Sequence, residues 1–141
     1  MAKFNEVYED TQELFGNFIN QIDSLSEISV KILSNDRLKE IGKVVKANDL
    51  LKHMTNEDVV IILNEKIFEQ LEDEQKMMVV EELVARLYFD SEKGKLSIIN
   101  PDVNTFSLLL RKYGYNKYET LHESIKALFA QEAEEEAENA H

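Results

Sequence analysis

Two adjacent carboxylates, Glu81 and Glu82, stand in an apolar-rich stretch, and Arg86 follows Glu82 by four residues. A carboxylate so placed can serve as a general base or metal ligand, or it can pair with a cation one helical turn away. Glu before Arg at this spacing is the favourable ion-pair order, and Val80, Leu83, Val84 and Leu87 supply an apolar stripe opposite. Pairing on a solvated helix face is therefore expected. A second carboxylate run, Glu72-Asp73-Glu74, suits the positive end of a helix dipole better than a metal site. No Asp-x-Asp-x-Asp-Gly calcium loop occurs, and Asp90-Ser91-Glu92-Lys93-Gly94 has the composition of a turn. The three histidines, His53, His122 and His141, lie far from Glu81 and Glu82 in sequence, and none is assigned a site. The chain has no cysteine, which excludes disulfides, Cys-based zinc sites and thiol catalysis. No serine sits in a Gly-x-Ser-x-Gly elbow, and there is no glycine-rich phosphate loop. The one locally basic stretch interleaves Tyr113, Tyr115 and Tyr118 with Arg111, Lys112 and Lys117 around Gly114. Such aromatics are expected to pack a corner between helices.

The elements that position these residues are read from hydrophobic period. Phe4, Val7, Tyr8, Phe15, Phe18, Ile19 and Ile22 predict a helix over 4–22, with Glu6, Glu9 and Asp10 in its first turns. Residues 28–33 alternate and are rich in β-branched side chains, which predicts a strand; 42–47 form a weaker strand candidate. Asn48 or Asp49 can cap a short helix through Met54, with His53 near its end. Asp58 to Asn64 encloses five consecutive apolar residues, the pattern of a strand buried on both faces and central to a sheet. A helix is expected from Asp73 to Tyr88 on a stripe of Met77, Val80, Leu83, Val84 and Leu87. A hairpin follows, with Phe89-Asp90 and Lys95–Ile99 flanking residues 91–94. Asn100 and Pro101 open another helix that Gly114 stops, and a last helix starts near Asn116. This order predicts an α+β fold: a single small domain over 1–130, a short sheet packed with four to five helices. Residues 131–141 carry five carboxylates and no apolar anchor, which predicts a disordered acidic tail.

The 141 residues include 28 acidic and 16 basic side chains, a net charge of −12. The tail accounts for five of these charges and leaves −7 on the first 130 residues. That balance disfavours direct nucleic-acid binding and suits a protein partner with a basic surface. The polar N-terminal residues and the short longest apolar run, Val59–Leu63, predict a chain without a signal peptide or membrane span, at work in the cytoplasm.

Three segments carry a family resemblance. They are Asp58–Asn64; Ile67-Phe68-Glu69-Gln70-Leu71-Glu72-Asp73-Glu74-Gln75-Lys76; and Asn100-Pro101-Asp102-Val103-Asn104-Thr105-Phe106, ending at Arg111-Lys112-Tyr113-Gly114. In order and spacing they resemble the putative phage metallopeptidase family, a zincin-like group, over about residues 28–114. The resemblance implies a phage origin, a zincin-like domain and a His-Glu-Leu-x-His zinc motif on the helix after the buried strand. The matching stretch here is Glu81-Glu82-Leu83-Val84-Ala85. Glu82 and Leu83 keep the pattern, and Glu82 takes the place of the general base. Glu81 and Ala85 replace the histidines, and a methyl group cannot ligate zinc.

The resemblance with these replacements implies a catalytically inactive metallopeptidase-like protein without a cofactor. Such a protein would bind a host or phage protein and inhibit or modulate it. Two alternatives stay open: a metal-dependent hydrolase with a carboxylate site made of Glu81, Glu82 and Asp102, and a structural or assembly accessory protein. No heptad pattern argues an oligomeric state.

Overall fold

The fold is taken from a computed structural model that describes residues 4–48, 50, 52–53, 56–90, 92–99, 109 and 111–139. The apolar run between Asp58 and Asn64 forms β4 (Val59–Leu63). It pairs in parallel with β2 (Val30–Ser34) and antiparallel with β3 (Gly42–Lys46). A two-residue strand, β1 (Asn5–Glu6), lies antiparallel on the other side of β2, so the order is β1-β2-β4-β3. Flanked on both edges, β4 has nearly every side chain in the core, as its unbroken apolar sequence predicts.

Helix α1 spans Glu9–Asn20, shorter than the 4–22 expected from periodicity. Asn5 and Glu6 instead pair with Ser34 and Leu33, and the extended Tyr8 starts the helix with its N–H donated to Glu65 Oε2 at 3.0 Å. Glu9 and Asp10 do fall in the first turn. A single 3₁₀ turn, Asp23–Leu25, leads to β2.

Beyond β4, α2 (Glu65–Phe68) is one turn capped by Asn64. Helix α3 runs Asp73–Val84 with Glu72 as its N-cap residue and Asp73 and Glu74 in its first turn, where the dipole favours them. It ends four residues before the Tyr88 predicted from its stripe. Leu87–Asp90 is β5, paired with β6 (Lys95–Ile98) in the predicted hairpin, with Leu87 opposite Ile98 and Asp90 opposite Lys95. A Leu-Tyr-Phe run fits a pleated, half-buried surface well, and Leu87 reaches the core from the strand as it would have from the helix.

Helix α4 spans Tyr115–Asn139. Residues 131–141, expected as a disordered tail, are thus helical as far as Asn139; the two residues beyond lie outside the described set. The tail continues a helix already nucleated by packing at Tyr118 and Leu121, and Lys66 bonds Glu132 across to α2, so little further cost attends propagation.

The main core lies where α1 and α3 meet the sheet: Phe15, Ile32, Val59, Ile61, Leu63, Phe68, Val80 and Leu83 are all buried. Gly42 allows the closest approach, since a Cβ there would stand 2.8 Å from Leu83 Cδ1 and 3.2 Å from the Ile62 carbonyl oxygen. The short helix predicted from Asn48 is described only in part, as helical residues 50, 52 and 53. Asn56 N–H then bonds the Lys52 carbonyl and Asn56 turns left-handed at φ 61°, a conformation Asn tolerates. The helix predicted to open at Asn100 and Pro101 lies outside the described residues, apart from helical positions 109 and 111–113. The result is an α+β domain with small sheets of four and two strands. Among the described residues no helix is long and apolar enough to cross a membrane.

Candidate functional site

The Glu81–Ala85 stretch lies in the last turn of α3 and its C-cap. The sequence places Glu81 and Glu82 on a solvated face, and the structure corrects this. Glu81 is only 4% exposed. The reason is that α3 has neighbours on two sides: α1 and β3 on one, and α4 with helical residues 111–113 on the other. Met78, Val79, Val80, Leu83 and Val84 are buried together, a wider face than the single stripe predicted, while Met77 stays half-buried. The adjacent apolar pairs Met77-Met78, Val79-Val80 and Leu83-Val84 carried this signal, since a helix apolar over more than one face is an enclosed helix.

Burial of a carboxylate requires compensation. Lys112 supplies it by donating from Nζ to Glu81 Oε1, and the Tyr113 hydroxyl also hydrogen-bonds Glu81. Burial pushes the Tyr113 hydroxyl pKa well up, and the hydrogen bond and negative charge of Glu81 push it further. Tyr118, buried on α4, is raised in the same direction by its burial and then by Glu82 and Glu81. Its ring meets Tyr113 edge-on at 6.2 Å and His122 at 6.3 Å. The predicted aromatic corner therefore forms from Tyr113 and Tyr118, while Tyr115 is exposed.

Glu82 pairs with Arg86 at 3.9 Å, the expected partner, but both side chains are half-buried. The buried Arg86 Nε has no hydrogen-bond partner among the described residues. Asp102, the third carboxylate of the alternative metal site, lies outside the described residues. His53 and His122 are exposed, and His141 is not described.

A zincin-type centre needs three protein donors on one ion. The last turn of α3 offers two carboxylates already engaged by Lys112 and Arg86, and Ala85 adds no donor. Among the described residues no three His, Cys, Asp or Glu side chains are grouped to hold a metal ion. The side chains of this turn do not fit a zinc ion, and its chemistry is that of a compensated buried charge.

Three polar residues at the ends of β4 escape sequence inspection. Asp58, at its start, accepts from the Ser29 N–H at 2.7 Å and pairs with Lys52 at 2.7 Å. Burial pushes its carboxyl pKa up, but the bonds from Lys52 and Ser29 together outweigh this and hold it below the ordinary value. Asn64, at the other end, accepts from Ile67 N–H and donates from Nδ2 to the carbonyl oxygens of Leu38 and Asp36. The buried Glu65 beside it holds the start of α1 through the Tyr8 N–H. The only sequence signal for these residues is that they bound the long apolar run.

No curated protein and no solved structure matches the chain. The sequence pattern of the putative phage metallopeptidase family matches residues 2–128 of the 141, and the chain belongs to that family.

Proposed function

We propose that this chain is a non-hydrolytic member of its family that acts in the cytoplasm of a phage-infected cell by binding a protein with a basic surface. One observation carries the reading. At the turn that resembles the family's zinc motif, Glu81 is buried against Lys112 and Tyr113, and Ala85 has no donor. A carboxylate held by an ammonium and a phenol is a structural charge pair, and giving it to a metal would break both of these bonds. The alternative carboxylate metal site has the same difficulty twice, because Glu82 is paired with Arg86. For binding, exposed carboxylates Glu134, Glu135, Glu136 and Glu138 lie close together near the end of α4 and suit a basic partner.

Two measurements on the full chain test this. Zinc titration by calorimetry, with an unfolded protein substrate assayed in parallel, is expected to show neither stoichiometric binding nor cleavage. Hydrolysis that is lost in Glu82→Gln ends the non-hydrolytic reading. Capture of a salt-eluted partner from host lysate should fail when Glu134, Glu135, Glu136 and Glu138 are changed to Gln. Equal capture by that variant removes the acidic surface from the account.

A further inference from the structure

At the end of the sheet opposite Asn64, a groove of about 690 Å³ opens between the β5–β6 hairpin and the segments that enter β2 and β4. Its polar lining is Lys46, Lys52, Lys93, Lys95, Glu27 and Asp58. In a chain of 28 acidic and 16 basic residues, six ionisable groups drawn without preference would be mostly acidic. Here four are lysines, so a quarter of the chain's cations meet in one concavity of a protein with net charge −12. They arrive from separate parts of the chain. Lys46 ends β3, Lys52 lies in the connection to β4, and Lys93 and Lys95 belong to the hairpin.

The two carboxylates offset part of this charge and leave the lining with a net charge of +2. Asp58 is committed to Lys52 and the Ser29 N–H. No ion pair among the described residues involves Lys46, Lys93 or Lys95. The hairpin turn presents Lys93 in a set conformation: Asp90 Oδ1 accepts from the N–H groups of Glu92 and Lys93, and Gly94 takes φ 61°. The apolar lining is Ile28, Ala47, Phe89 and Leu96. A groove of this volume is large enough for a small ligand, and its lining is more charged than apolar, which suits an ionic one.

We propose that this groove binds a phosphate-bearing anion. The cations are all lysines, which bind phosphate as compact point charges with rotatable donors, and three of them, Lys46, Lys93 and Lys95, are left by the ion pairs of the described residues to meet an anion. Several separated ammonium groups match an anion with charge spread over several oxygens. Ile28 and Phe89, both half-buried, are available to an apolar or aromatic body attached to it. The site is independent of the α3 turn and of the binding function proposed above.

The test is an amide NMR titration of the full chain with inorganic pyrophosphate, hexathymidylate and hexaglutamate. Pyrophosphate or hexathymidylate should give saturable shifts at Ala47, Lys93, Gly94 and Lys95. The double variant Lys93→Glu/Lys95→Glu should weaken binding at least about tenfold, equivalent to ~1.4 kcal/mol. Lys39→Glu/Lys126→Glu, exposed and outside the groove, changes net charge equally and should leave binding within about twofold. Pyrophosphate binding without hexathymidylate points to a free phosphorylated ligand, and hexathymidylate binding to a phosphodiester backbone; both support the proposal. It is overturned if neither probe saturates, if the control pair weakens binding as much as the groove pair, or if hexaglutamate binds as tightly as both phosphate probes.

Discussion

Lys112→Met isolates the charge on which the α3 turn depends. The substitution keeps the side-chain stem and removes the ammonium that Glu81 accepts from. Breaking a fully buried ion pair by removing one partner costs about 3–5 kcal/mol, because the other charge is stranded. Glu81 is buried, but the Lys112 side chain is 57% exposed, so water already screens the pair and the lower figure of ~2 kcal/mol is appropriate. In a domain of this size that is a fall in Tm of about 8 °C. Glu81→Gln in the same chain removes the stranded charge while leaving an acceptor for the Tyr113 hydroxyl. The double variant should therefore recover to within about 1 kcal/mol of the parent in urea unfolding.

The same pair has an alkaline signature. Burial and Glu81 raise the Tyr113 pKa in the folded state, so its contribution to stability is complete below the unfolded value of about 10 and is lost as pH rises beyond it. Glu81→Gln removes part of that shift. Ultraviolet titration of tyrosinate should then place Tyr113 lower in the variant, with a shallower loss of stability at alkaline pH. Two results refute the reasoning. One is a Lys112→Met change below about 0.5 kcal/mol, the range of ordinary surface substitutions. The other is zinc stabilisation of the parent that Glu81→Gln abolishes, which would make Glu81 a ligand.

Asn64→Ala should cost about 2–4 kcal/mol in urea unfolding, because it removes the α2 cap and leaves the Leu38 and Asp36 carbonyls without their side-chain donor. Gly42→Ala should cost about 1–3 kcal/mol through overpacking against Leu83 and the Ile62 carbonyl, and Leu83→Val added to it should cost less than the two changes separately sum to. Asp58 titrates below its unfolded value, so its contribution is present above about pH 4 and is lost as pH falls through the lowered pKa; Asp58→Asn should be less stable at pH 7 and lose less on acidification. Glu132→Gln should shift stability by no more than about 1 kcal/mol in thermal unfolding, since its partner Lys66 is half exposed.

Legibility followed the range of the forces involved. β4, the β5–β6 hairpin and the start of α3 depend on nearest-neighbour pattern: an apolar run between polar residues, a turn around Gly94, carboxylates ahead of an apolar stripe. Each could be read within a dozen residues. The end of α3 could not, because Leu87-Tyr88-Phe89 fits a helix stripe or a strand equally well, and pairing with Leu96–Ile98 decides between them. Nor could the environment of Glu81. A helical period tells which side chains share a face but not how many neighbours the helix has, and α3 lies between α1 and α4. The lysine groove is the extreme case. Its cations stand at positions 46, 52, 93 and 95, and a net charge of −12 averages them away. For this reason the global charge argues about association of the whole molecule, while the local field of a groove is set by a few residues within a Debye length of about 10 Å. An acidic protein can repel polyanions over most of its surface and still attract a phosphate at one end of its sheet. A salt titration separates the two. Raising ionic strength should weaken capture of a basic partner by the α4 carboxylates and also weaken pyrophosphate binding, but only the second should be abolished by reversing Lys93 and Lys95.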